Sequence, residues 1–407
     1  MKKENHFITA IVLALLIALS SVNSFAEDNQ VSDKELYIEV IDAYIELREQ
    51  SLAGREYNEK DACALDHIVQ NVCERADVMD RLRAEAEISF TQVETAYCLQ
   101  SIQLEGEAVR VLLYEWNDIE YNCKNSLKPE KMGFGAEHEL LLKNINGRVT
   151  IIEDLYDESG TTGICTIKKV DLGERGSGHI VEKEVGKREV QTITPVNCFY
   201  PGYNKSNAIL YAHTWCGRVS VGYNSDMHTG NNNPAFYYCM NAATGQGVDC
   251  ANFVSQCLLA GGVSETTSWY HNAPNPIPSV PINGGTGTTA GTLAWVSVTD
   301  FHNYWVNYGI THWTGMSHIM SGNPVYWKNE SGGYPNHLMI CTGFNSSGVP
   351  LVDAHNGDAM YYPVNMIAGN KTLHTLTFYC DHSWSYNTSV HLYYCSKCCS
   401  YSQNGPY

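Results

Sequence analysis

The chain has 407 residues and a formal net charge of -18, long enough for two or three domains that each bury a core. Its 44 acidic side chains against 26 basic ones argue against nucleic acid and against anionic lipid as partners. The 15 cysteines are odd in number and irregular in spacing, which does not read as a compact disulfide framework.

The N-terminus runs Met1-Lys-Lys, then an apolar stretch over residues 8–19, then Ser24-Phe25-Ala26. This predicts a signal peptide over residues 1–26, cleaved after Ala26, and a secreted protein. The apolar stretch is too short to favour a permanent span, and no cysteine follows the cleavage point, so no stable membrane anchor is expected. Removing Lys2, Lys3 and Glu4 (net +1) leaves a mature charge of -18 - 1 = -19.

Residues 27–86 read as a helical hairpin. Leu36, Val40, Ile41, Tyr44 and Leu47 form one stripe, and Ile68, Val72, Met79 and Leu82 a second, with charged residues opposite. Residues 87–160 change to a period of two. Strands are predicted over 88–99, 107–116, 137–144 and 148–157, the last two joined at Asn144-Ile-Asn-Gly147. The ending HELLLKNINGRVTIIEDLYDE resembles the final hairpin of small cone-shaped α+β domains of the nuclear transport factor type. No acid–base pair stands out, so this region reads as accessory. Residues 161–200 are polar and read as a surface linker.

The stretch Gln246-Gly-Val-Asp249-Cys250 leads into an apolar helical pattern at Ala251, Val254, Leu258 and Leu259, stopped by Gly261-Gly262. Asp249 reads as the N-cap, with its carboxylate on the first-turn amides. Cys250 then sits at a helix N-terminus, where the dipole favours thiolate, and becomes a candidate nucleophile. Residues 217–236 and the proline-rich 264–291 read as long loops. Trp295, Phe301, Tyr304, Trp305 and Tyr308 keep helical spacing and read as core.

His337 opens the apolar strand Leu338-Met-Ile-Cys341, and Asn345-Ser-Ser-Gly348 turns it back towards Asp353-Ala-His355-Asn356. Folding about the turn places Asn356 opposite His337, and a one-residue slip brings His355 instead. Nucleophile, base and orienting polar group form the set used in thiol acyl transfer. Thiolate and imidazolium are the expected resting pair.

The segment DCANFVSQCLLAGG at residues 249–262 resembles the bacterial putative amidase domain family, a branch of the papain-like NlpC clan of cysteine amidases and peptidases. The likeness extends to residues 203–215, to Trp295, to residues 301–308 and to NHLMICTGF at residues 336–344. It implies an α+β papain-like domain over residues 201–380, with Cys250, His337 and His355 as the catalytic set. Histidine is the usual third residue in that family, which favours His355 over Asn356.

Residues 381–407 form a Cys/His-rich tail. Cys395 and Cys398 have zinc-knuckle spacing, and Cys380 with His382 or His391 would complete four ligands of a structural zinc; disulfides are the rival reading. The sequence thus predicts a secreted cysteine hydrolase of amide or peptide bonds, with cell-wall peptide as the expected substrate and no cofactor for catalysis. A thioester acyltransferase and a non-catalytic envelope-binding module are the alternatives.

Overall fold

The computed structural model describes residues 30–54, 63–124, 126, 128–156, 158, 200–216, 233–236, 249–272, 277–282, 285–329, 335–367, 369, 371–380, 384–387, 392–395 and 401–402. The expected signal peptide and the expected linker, apart from Tyr200, lie outside these residues. No described helix is long and apolar enough to cross a membrane. The chain is mixed helix and sheet, as an α+β protein should be.

Two helices, α1 (Gln30–Leu52) and α2 (Asp66–Glu85), precede four antiparallel strands: β1 (Ile88–Glu105), β2 (Ala108–Cys123), β3 (Glu130–Ile145) and β4 (Arg148–Tyr156). Ile41, Tyr44 and Ile45 of α1 and Ile68 and Val72 of α2 pack on Val111, Leu113, Leu140 and Ile151 of the strands. Helices and strands therefore share one core. Strands β1 to β3 run beyond the alternating segments visible in the sequence, and β2 is buried without a break over residues 113–117, which interrupts its period-two pattern before alternation resumes.

Two expectations for this half are corrected. Charged residues do not all lie opposite the apolar stripe: Arg48 and Arg75 are fully buried within it. An acid–base pair is also present, since His138 Nδ1 lies 2.9 Å from Asp154 Oδ1. Arg75 pairs with Glu115 at 3.1 Å and with Glu158 at 2.9 Å, Arg48 pairs with both carboxylates, and Tyr44 donates to Asp154 at 2.5 Å. Buried ions persist only when paired in this way, and single-chain reading could not bring these five segments together.

The second half adds helices α3 (Lys205–Trp215), α4 (Cys250–Ala260), α5 (Leu293–Val296) and α6 (Val298–Tyr308), and strands β7 (His312–Thr314), β8 (Pro324–Asn329), β9 (Leu338–Phe344), β10 (Pro350–Ala354), β11 (Asp358–Pro363) and β12 (Lys371–Leu376). The expected loop over 264–291 instead contains a hairpin of β5 (Ile277–Ile282) and β6 (Gly285–Thr289). Trp295, Phe301 and Trp305 are fully buried, whereas Tyr308 is exposed.

One sheet runs through both halves in the order β1-β2-β3-β11-β10-β9-β8-β12-β7, with β4 on the far end of β3. The seam is β3 against β11, with Phe134 opposite Ala359. Gly133 and Gly135 flank it; a Cβ on either would enter the Trp116 ring or the Glu115 carbonyl. Strand β9 is buried on both faces. Leu338 and Ile340 face the helical layer of α3, α4 and α6, while Met339 and Cys341 join Met79, Leu82 and Phe134 from the first half. That two-sided burial explains its continuous apolar run.

Candidate active site

Helix α4 is buried around almost its whole circumference, polar residues included. Each buried polar side chain has a partner. Asn252 accepts from Trp295 Nε1 at 2.7 Å, Ser255 donates to the Trp295 carbonyl at 2.9 Å, and Gln256 accepts from Tyr211 at 2.6 Å. These bonds give the polar letters of the motif a structural reason.

The start of the helix differs from expectation. Asp249 is buried in αR geometry and its carboxylate caps no first-turn amide. Instead Oδ1 accepts from Asn252 Nδ2 at 2.6 Å and Oδ2 meets His355 Nδ1 at 2.9 Å. The Asp249 backbone N–H donates to Asn356 Oδ1. The acid is thus an anchor between α4 and the β10–β11 turn.

His355 was expected to orient His337, and its ring is engaged elsewhere. Nε2 lies 2.6 Å from the Trp215 carbonyl, and the ring stacks on Phe253 at 4.0 Å between centroids. A carboxylate at one nitrogen and a carbonyl at the other both favour a donor N–H, so the surroundings favour the imidazolium form. Burial opposes this charge, but the Asp249 bond, the Asp358 charge and the Trp215 carbonyl raise its pKa nonetheless. The hairpin register explains the outcome. Val352 pairs with Cys341 and Asp353 with Ile340 after a bulge at Thr342, and β10 ends before His355.

Cys250 is partly exposed by area, yet its sulfur is densely surrounded. Burial pushes the thiol up to about 11, and the Asp249 charge adds to this; hydrogen bonding from the Leu338, Ala251 and Cys250 backbone acts the other way. His337, adjoining Leu338 in sequence, is buried, and its Nε2 has no hydrogen-bond partner among the described residues. Burial pushes its pKa down to about 3, with the Lys371 and His355 charges adding to the effect. Burial thus acts against the expected thiolate–imidazolium pair from both sides, favouring the neutral thiol and the neutral imidazole over the pull of the helix dipole.

Sequence reading missed three supports. Asn252, one helical turn after Asp249, was visible as an i,i+3 pair. Trp295 was read only as core. His213 on α3 pairs with buried Asp353 Oδ2 at 2.8 Å, while Thr342 and the Tyr361 amide bond its other oxygen. A surface cleft of about 500 Å³, lined by Tyr270, Thr292, Asp300 and Tyr304 among others, includes neither Cys250 nor His337.

Residues 202–378 match the family model described as "Putative amidase domain". The segment is an amidase-family domain. It holds Cys250, His337 and His355, and its family points to amide-bond hydrolysis. Searches of curated proteins and of solved structures give no match. The expected zinc ligands fall beyond the amidase domain. Cys380 is buried at its end, Cys395 is described only as a strand position opposite Trp384, and His382 and Cys398 lie outside the described residues. Among the described residues, no group of three or more His, Cys, Asp or Glu is arranged to hold a metal ion.

Proposed function

We propose that the amidase domain is a cysteine hydrolase, with Cys250 as nucleophile and His337 as general base. The observation that carries this is the buried start of α4, where the Cys250 thiol meets the backbone of Leu338, the residue after His337. His337 takes the thiol proton as sulfur attacks the amide carbon. The Cys250 amide, in the first turn where helix N–H groups lack intrahelical partners, is a candidate donor to the oxyanion. His337 then protonates the leaving amine, and water releases the acid from the thioester. His355 is a positioning residue: its charge neutralises buried Asp249 and fixes the helix that presents Cys250.

The sequence features of residues 1–26 support export, and export favours cell-wall peptide as the substrate. Incubating purified peptidoglycan with the protein and analysing the products by mass tests both parts. New amine and acid ends with the wild type, absent with Cys250→Ala, are the expected result. Equal cleavage by Cys250→Ala would overturn the mechanism.

A further inference from the structure

Away from Cys250, three histidines from separate elements meet at the edge of the sheet. His302 comes from α6, His312 from β7 and His374 from β12. His312 Nε2 lies 2.9 Å from His374 Nδ1, and the two rings stack with centroids 5.1 Å apart. The Tyr326 ring of β8 stacks on His374 at 5.2 Å, and its hydroxyl lies 2.7 Å from His302 Nδ1. Thr314 Oγ1, also on β7, lies 3.2 Å from His374 Nδ1. Among the described residues the three rings form no metal-holding group, and no carboxylate pairs with any of them.

This packing suits neutral rings. The His312–His374 contact needs one donor nitrogen and one acceptor nitrogen; with both rings protonated, each contacting nitrogen carries a hydrogen and the bond is lost. The charge that faces the cluster has the wrong sign to hold imidazolium. Lys328 of β8 pairs with Thr372, two residues along β12 from His374, and so shares its face. Lys371 lies on the other face of β12 with Trp327, His318 stacks on Trp313 on the other face of β7, and Asp300 of α6 lines the separate cleft with Tyr304. Burial, then His312 and Lys328, pushes His302 and His374 down to about 4, and burial lowers His312 in the same direction. Strand β7 has three residues and forms the end of the sheet, so side-chain contacts weigh heavily in its attachment.

We propose that His302, His312 and His374 form an acid-sensitive latch: neutral rings hold β7 and α6 against β12, and their protonation releases this edge while the rest of the domain stays folded. Released rings titrate near the ordinary value of about 6.5, higher than in place, so the released edge binds more protons. The latch is fully engaged above that value and is lost as pH falls towards about 4. It does not depend on the Cys250–His337 reading.

Hydrogen exchange read by mass spectrometry on the full chain, corrected for the intrinsic pH dependence of exchange, tests the latch. Peptides over residues 298–314 and 371–377 should open about tenfold more at about pH 5 than at about pH 7, while α4 keeps its protection. In the double variant His312→Gln with His374→Asn, amides stand at the contacting Nε2 and Nδ1 positions and do not titrate, so the rise should be largely lost. Lys328→Met removes the facing charge and none of the rings; it should move the release to lower pH, and it serves if the double variant does not fold. A rise of wild-type size in the double variant, or release of Lys328→Met at the wild-type pH, would overturn the latch. So would a wild type whose edge stays closed at about pH 5, or opens only together with α4.

Discussion

His355 Nδ1 and Asp249 Oδ2 lie 2.9 Å apart, both buried, and so tie the start of the cysteine helix to the turn after β10. The histidine expected to serve the base thus serves the helix.

Breaking that pair should cost stability as well as rate. His355→Gln leaves the buried Asp249 carboxylate without its cation, a change of about 3–5 kcal/mol. Asn356→Ala removes one acceptor for the Asp249 amide and should cost about 1–3 kcal/mol. The raised His355 pKa makes its contribution fully present below the unfolded value and lost as pH rises through the folded one. Melting temperatures across pH should therefore show the largest gap between wild type and His355→Gln on the acid side. An equal gap at all pH values would remove the charge from the account.

The Cys250 thiol should behave as a buried acid. With its pKa near 11, labelling by iodoacetamide should keep rising through neutral into alkaline pH. A plateau already reached at mildly acidic pH would show a thiolate–imidazolium pair instead. Cys257, buried in the middle of the same helix, should label more slowly than Cys250 throughout.

The pH–rate profile should report the base. His337 is active when neutral, so kcat/KM should climb through its pKa, and the acid limb of the free enzyme should lie far below the ordinary histidine range. Burial holds that limb down first, and the Lys371 charge second. Lys371→Met should accordingly move the limb to higher pH, and a limb that stays put would separate Lys371 from His337.

The ion network of the first half predicts a strongly polar failure mode. Arg75→Met should destabilise the protein by about 3–5 kcal/mol, because Glu115 and Glu158 lose a buried partner. For Glu115, burial favours the neutral form, but Arg48 and Arg75 overcome it and hold the pKa well below the usual range. Its stabilisation is present above the unfolded value near 4.3 and is lost only as pH falls through the folded one. Acid titration followed by circular dichroism should show wild type surviving to lower pH than Arg75→Met.

Much of the amidase domain was legible in the chain itself. The Cys250 helix, the His337 strand and the Trp295–Trp305 core are written as local periodicity, and local periodicity needs no partner to be read. What the tertiary structure decided is how buried polar atoms share partners. Asp249 looked like a cap because capping is a local bond, but His355 and Asn252 claimed its oxygens from 106 and 3 residues away. Arg48 and Arg75 looked like surface charges because their acids arrive from β2 and from Glu158, segments distant in sequence. The directions in which Cys250 and His337 are pushed follow the same logic. A helix dipole is visible in one segment, whereas desolvation depends on every element packed around the site, and here it is the larger force.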